Sequence, residues 1–234
     1  MITALQPRQL ICLVVGLFLA GMGIAVLGEG WMRGYVDASP MGLIGDIPLA
    51  VTISVLLAAA LGSHGMLTLV WKVAPALNSW IAPDLNGTYE LSTLSNWPIQ
   101  QAMFAAYNNK PFTRPDDTAK QTVSGTLRVK LSLFRLTMSY IPSDQGPSRS
   151  RSNVLAASLH MDRRAERCEL HYVYHSSVFN PKAETDITEY YGAARFVFPL
   201  ESARPEILEG TYWTDRSWPK GINTAGQATA KRSG

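Results

Sequence analysis

His171 and His175 stand four residues apart in Glu169-Leu170-His171-Tyr172-Val173-Tyr174-His175, a spacing that on a helix turns two imidazoles to one face as a metal site requires. Here, though, polar and apolar residues alternate, which is strand patterning. At ~3.3 Å per residue the two rings share a face yet stand roughly 13 Å apart, too far to bind one ion. They read as two polar strand positions. The chain has no Gly-x-Ser-x-Gly turn, phosphate-cradling Gly-x-x-x-x-Gly-Lys loop or Cys-x-x-Cys pair, and Cys168 lacks a histidine placed to activate it. Neither catalysis nor a cofactor is indicated.

A second set of residues suits binding rather than bond-breaking. Tyr172, Tyr174, Tyr190, Tyr191, Tyr212 and Trp213 lie in strand-like runs; Arg149 and Arg151 precede one run and Arg216 follows another. Rings offer stacking surfaces and guanidinium forks match phosphate oxygens, so such a set at a barrel mouth fits a planar, phosphate-bearing ligand. Taken singly, strand tyrosines are ordinary cross-strand packing and the arginines a solvated rim. The candidate ligand contacts are Arg149, Arg151, Tyr172, Tyr174, Trp213, Thr214 and Arg216.

The elements that must hold them are strands. A turn at Asp84-Leu85-Asn86-Gly87 opens a run to about Leu94, and further runs follow at Ser152–Met161, Cys168–His175, Tyr190–Phe198, Ile207–Asp215 and Ala225–Lys231, with Asp, Gly, Asn and Pro between them. From Leu127 to Tyr140 the apolar parity flips once, at Leu133-Phe134. With no turn residue there, a β-bulge in one long curved strand is expected. Residues 101–120 read mainly as loop, with a helical turn near Gln100–Tyr107. Six to eight antiparallel strands in about 150 residues predict a small barrel or a strongly curved sandwich.

Upstream the patterning changes. Leu10–Gly28 holds no charged residue, and Ile47–Trp71 is interrupted only by Ser63-His64-Gly65, so each is long enough to cross the ~30 Å hydrocarbon core as a helix. A cleaved signal sequence fits less well, because its apolar core is about 7 to 15 residues and Gly28-Glu29-Gly30 is a poor cleavage site. Arg8 and Lys72 flank the pair while the connecting loop sets Arg33 against Glu29, Asp37 and Asp46, which favours both ends in the cytoplasm. Trp31, Tyr35, Trp71 and Trp80 suit the water interfaces. Glycines at 16, 21, 23, 62 and 65 permit close helix contact. The expected organisation is a two-helix transmembrane hairpin with its linker, residues 1–83, and an all-β domain, residues 84–234.

The net charge of +3 belongs to the second part, where 18 of 21 Lys and Arg and 15 of 18 Asp and Glu lie. Such a balance is too weak for a polymeric nucleic-acid partner. Cys12 and Cys168 fall one in each part, so no disulfide forms within the β domain, in keeping with a reducing cytoplasm.

Two apolar helices, then Pro83-Asp84-Leu85-Asn86-Gly87-Thr88-Tyr89, Leu170-x-Tyr172-x-Tyr174, Tyr191-Gly192-Ala193-Ala194 and Leu208-x-Gly210-x-Tyr212-x-Thr214-x-Arg216 with Gly221, resemble the CD-NTase-associated effectors that carry two transmembrane helices and a β-rich domain in bacterial CBASS anti-phage systems. This chain departs from that family's pattern in two places: the family's His-Gly-Thr-like strand start is replaced here by Tyr191-Gly192-Ala193, and His64 interrupts the second helix. The resemblance implies a lipocalin-like barrel of about eight strands that binds a cyclic dinucleotide made by a partner nucleotidyltransferase. It also implies self-association on binding, disruption of the inner membrane and death of the infected cell. The alternative is a constitutive, membrane-anchored lipocalin-like carrier or scaffold without nucleotide gating.

Overall fold

The computed structural model describes residues 7–33, 47–73, 82–108, 111, 121–132, 135–143, 150–178, 187–216, 218 and 223–233. Eight strands follow one another around a closed antiparallel barrel: β1 (Gly87–Ser95), β2 (Gln121–Leu131), β3 (Leu136–Pro142), β4 (Ser150–Asp162), β5 (Arg167–Val178), β6 (Glu189–Pro199), β7 (Ile207–Thr214) and β8 (Ala225–Arg232), with β8 returning to β1. Every strand pairs with its sequence neighbours, so no edge is left open.

The parity flip between Leu131 and Leu136 is a hairpin, not the bulge expected from the sequence. Leu131 pairs with Leu136, and Ser132 closes the turn: its N–H donates to the Arg135 carbonyl (2.8 Å) while its Oγ accepts from the Arg135 N–H (3.1 Å). A tight hairpin joins residues whose numbers sum to an odd value, which reverses parity as a bulge does. Leu133 and Phe134 themselves lie outside the described residues. The true bulge is in β4, where the register shifts between Val154 and Ala156.

Inward side chains differ between the barrel's two ends. Leu127, Val129, Leu131, Leu136, Leu159, Met161, Leu170, Phe196, Phe198 and Leu208 fill the end at which β1 begins. Arg232 seals that end. Its guanidinium donates to the carbonyls of Asp84 (2.8 Å), Pro205 (3.2 Å) and Asn86 and to the Tyr89 hydroxyl (2.6 Å), and it lies 4.7 Å from the centre of the Tyr89 ring. The Tyr89 hydroxyl in turn donates to the Leu85 carbonyl (3.2 Å). A half-buried cation is tolerated here because backbone oxygens and a ring face surround it.

Among the described residues three helices precede the barrel: α1 (Pro7–Arg33), α2 (Ile47–Gly62) and α3 (His64–Val73). The first two pack through small residues, with Ala25 and Ala50 buried and Ser54 Oγ donating to the carbonyls of Leu17 (3.0 Å) or Ala50 (2.6 Å). A Cβ on Gly21 would fall 2.5 Å from the Ala50 carbonyl oxygen and against Ser54 Oγ, whereas Gly16, Gly23 and Gly65 meet nothing within 4 Å. Gly21 thus packs within the chain. Ser63, expected as a mere interruption, caps α3 by accepting from the Met66 N–H (3.3 Å), so the second apolar run is broken rather than continuous. Among the described residues no single helix is long and apolar enough to cross a membrane; Ile47–Ala60 and Gly65–Val73 meet the length and composition only as a pair bent by 91°. Leu67 and Trp71 of α3 are buried in the same apolar cluster as Ala82, Leu85 and Tyr89, which sets the helices at the sealed end.

The fourth helix, α4 (Trp97–Tyr107), lies at the opposite rim and is longer than the helical turn expected. Asn96 pins its start to β8: the Asn96 N–H donates to the Ala225 carbonyl (2.9 Å) and Asn96 Oδ1 accepts from the Ala225 N–H (2.9 Å).

Candidate functional site: a tyrosine-lined barrel mouth

Cross-strand partners point to one face, so the register lays out the interior of the barrel's other end in three rows. One row reads Tyr140, Ser152, Ser176, Tyr190 from β3 to β6. The next reads Val154, Tyr174, Gly192, Thr214, and the third Ala157, Tyr172, Ala194, Tyr212, Gly226, Ser95. Within each row no two tyrosines are adjacent. Each tyrosine therefore has serine, alanine, valine or glycine beside it in its row, and its ring can lie along the barrel wall.

The glycines make this literal. A Cβ on Gly192 would fall 2.7 Å from Tyr174 Cε2 and nearer still to its Cζ, and one on Gly125 would fall 2.5 Å from Tyr140 Cε2. Two rings cover two glycines, whereas a Cβ on Gly226 would first meet the Leu94 backbone carbonyl, with Tyr212 Cε1 beyond it at 3.1 Å. Tyr172 and Tyr174 lie with ring centroids 5.9 Å apart, and Tyr172 stacks at 6.0 Å on Phe196, where the mouth gives way to the apolar core.

The polar groups of the mouth are hydroxyls. Ser152 and Ser176 bond to each other, Thr214 Oγ1 pairs with Thr224 Oγ1 at 2.6 Å, and Tyr212 bonds to Ser95 and Thr93. The Tyr140 hydroxyl, by contrast, is shielded from solvent with no hydrogen-bond partner among the described residues. Leaving such a group unpaired costs on the order of 1–3 kcal/mol. Burial raises the Tyr140 hydroxyl to about 12, with the Tyr190 and Tyr212 hydroxyls adding to the effect, and burial also raises Tyr172, Tyr174 and Tyr212 above the ordinary phenol value. All remain neutral donors at physiological pH. None of the three rows carries a charged side chain. The cation set against them is Arg216, whose guanidinium carbon lies 5.4 Å from the centre of the Tyr190 ring.

Of the candidate contacts, Tyr172, Tyr174 and Thr214 face inward and Arg216 sits at the rim. Arg151 pairs with Ser177 on the outward parity and is exposed; Arg149 lies outside the described residues. Trp213 also points outward. It is 52% exposed and lines a groove of about 450 Å³ beside α4 with Leu94, Ile99 and Gln227 and with Ser95, Tyr212 and Gly226 of the third row. Sequence reasoning passed over Tyr140, Ser152 and Ser176, whose signal was their shared parity with the apolar positions of their strands.

His171 and His175 lie on the outer face of β5, beside Glu169 (3.0 Å) and Glu189 (3.6 Å) respectively. Arg195 grips Glu169 through two hydrogen bonds (3.1 and 2.6 Å), with Arg167 at 3.0 Å, and these partners hold that carboxyl below its usual range. Among the described residues no group of three or more His, Cys, Asp or Glu is placed to hold a metal ion. Cys168 is buried in the apolar end, and desolvation raises its thiol to about 11.

Fold and lining define a class, the closed up-and-down β-barrel with an aromatic, hydroxyl-rich interior at one end. Comparison with protein families returned no matching family, and comparison with curated proteins returned no matching relative.

Proposed function

We propose that this chain is a membrane-anchored receptor for a cyclic dinucleotide, which self-associates on binding and disrupts the inner membrane as the killing step of anti-phage defence. The observation that carries the reading is the mouth itself: five tyrosines spaced by small residues, neutral hydroxyls within, and Arg216 over Tyr190 at the rim. Tyrosine faces stack on planar bases, hydroxyls meet their edges, and a guanidinium pairs with phosphate. A lipid chain would leave the buried Tyr140 hydroxyl without a hydrogen bond, which weighs against the carrier reading.

In this proposal residues 1–83 form a two-helix hairpin in the inner membrane, through α1 and the bent pair of α2 and α3, and residues 84–234 sense ligand in the cytoplasm, N-terminus included. The ligand comes from a CD-NTase nucleotidyltransferase, and the receptor itself performs no catalysis. One copy supplies too few helices to enclose water, so damage is collective. Contact of Leu67 and Trp71 with the sealed end offers a short route from barrel to helices.

The test is calorimetry on the full chain in detergent micelles against a panel of cyclic dinucleotides, linear dinucleotides and a fatty acid. Binding confined to a cyclic dinucleotide is expected. Binding of the fatty acid alone favours the carrier, and binding of none of them ends the reading.

A further inference from the structure

We infer that Tyr140 is the residue that selects the ligand's ring: its hydroxyl hydrogen-bonds an uncharged heterocycle held between the tyrosine faces, while the ligand's anionic group stays at the rim by Arg216. This rests on the reading of the mouth as a nucleotide site and says which end of the ligand goes in.

Three observations converge on Tyr140. Its hydroxyl oxygen is shielded from solvent and unpartnered among the described residues, beside a Ser152–Ser176 pair and a Thr214–Thr224 pair that satisfy each other. A phenol hydroxyl both donates and accepts, so it can meet either edge of a base. The ring is also fixed. Gly125 lets it lie against the wall, with Cε2 and Cζ where a Cβ would stand 2.5 and 2.6 Å away, and the register sets it opposite Ser152 and Leu127. A side chain so placed holds its hydroxyl in one position and distinguishes one ring edge from another.

The third observation is the separation of charge. The three inward rows contain hydroxyls and rings but no cation, whereas Arg216 lies at the end of β7 against Tyr190. Phosphate driven into the rows would lose its hydration without a counter-charge; a neutral base loses far less. The heterocycle is therefore the inner part of the ligand.

The experiment uses the full chain in micelles and measures binding of adenosine, guanosine, cytidine and uridine, of cyclic dinucleotides, and of inorganic phosphate. Tyr140→Phe removes one oxygen from a ring whose position is kept by Gly125. It is expected to weaken its preferred nucleoside and the dinucleotide by the same factor, about 2- to 13-fold, the equivalent of one neutral hydrogen bond of about 0.5–1.5 kcal/mol. Arg216→Ala is expected to weaken the dinucleotide by a larger factor than the nucleoside. Trp213→Ala, on the outer face, is the control. Nucleosides lacking one exocyclic group, titrated against the unaltered protein, give the same factor from the ligand's side and decide the matter if Tyr140→Phe misfolds. Equal nucleoside affinity in Tyr140→Phe and the unaltered protein overturns the inference and leaves dinucleotide sensing standing. Nucleoside binding that depends on Tyr140, with no cyclic dinucleotide bound, overturns the receptor proposal and leaves this one standing. Binding of phosphate alone, or of nothing, overturns both.

Discussion

Tyr174 lies across Gly192, its partner in the β5–β6 ladder, with its ring in the volume that any larger residue at 192 would need. The obstacle is the far end of a side chain, which can swing away. Gly210 differs, because a Cβ there would meet the Arg195 backbone oxygen and lie 2.9 Å from Phe196 Cα. Gly192→Ala is expected to keep the fold, cost about 1–3 kcal/mol and push Tyr174 into the mouth, weakening ligand binding. Gly210→Ala should cost more and distort the β6–β7 pairing. Urea denaturation of both variants checks the order, and equal costs would mean that the ring is as immovable as the backbone.

Arg232→Met retains most of the stem's apolar volume but withdraws the donors that tie β8 to Asp84, Asn86 and Pro205 and to the Tyr89 hydroxyl. A loss of about 2–4 kcal/mol is expected, since several carbonyls and a buried hydroxyl lose a charged partner together. Chemical denaturation followed by tyrosine and tryptophan fluorescence measures it.

Alkali should unfold the barrel before its tyrosines ionise freely. Burial raises Tyr89 and Tyr140 to about 12 against an ordinary value of 10.0, so between those values the unfolded chain releases protons that the folded chain retains. The stability due to these neutral hydroxyls is complete below pH about 10 and is lost as pH rises toward about 12, by about 1–3 kcal/mol for each. Urea midpoints measured across that interval should fall steadily. Tyr140→Phe should reduce the slope.

Inside and outside are separable by mutation. Tyr174→Ala and Arg216→Ala are expected to weaken cyclic-dinucleotide binding by roughly tenfold or more, the loss of a stacking face and of a charge-assisted bond to phosphate respectively. Trp213→Ala and Arg151→Ala, on outward positions, should bind as the unaltered chain does. Calorimetry decides, and a tenfold loss at Trp213 would move the site to the groove beside α4.

A reporter that works only in the cytoplasm is expected to be active when fused after Gly234 and silent when fused between residues 31 and 39, given the basic flanks Arg8 and Lys72. The reverse pattern would place the barrel outside the cell, away from any cytosolic messenger.

Alternation along the chain by itself determined that residues 127–131, 136–140, 152–161, 168–175, 190–198, 207–214 and 225–231 are extended with one apolar face, that two apolar helical runs precede them, and that Tyr172 and Tyr174 share a face. These are local properties, carried by the two-residue repeat of an extended backbone. The repeat says that neighbours oppose one another, but not which of two similar neighbours is inside. Tyr212 and Trp213 are adjacent aromatics, and only the β6–β7–β8 register, which lines up Ala194, Tyr212 and Gly226, turns the tyrosine in and the tryptophan out. The same holds at Leu131–Leu136, where a hairpin and a bulge give identical parity and the Ser132–Arg135 hydrogen bonds choose the hairpin. It holds too for Gly125 and Gly192, which in sequence are weak points of strands. Only when closure brings β2 against β3 and β5 against β6 do they become the space in which two tyrosine rings lie, because pairing between distant segments is fixed by the barrel as a whole.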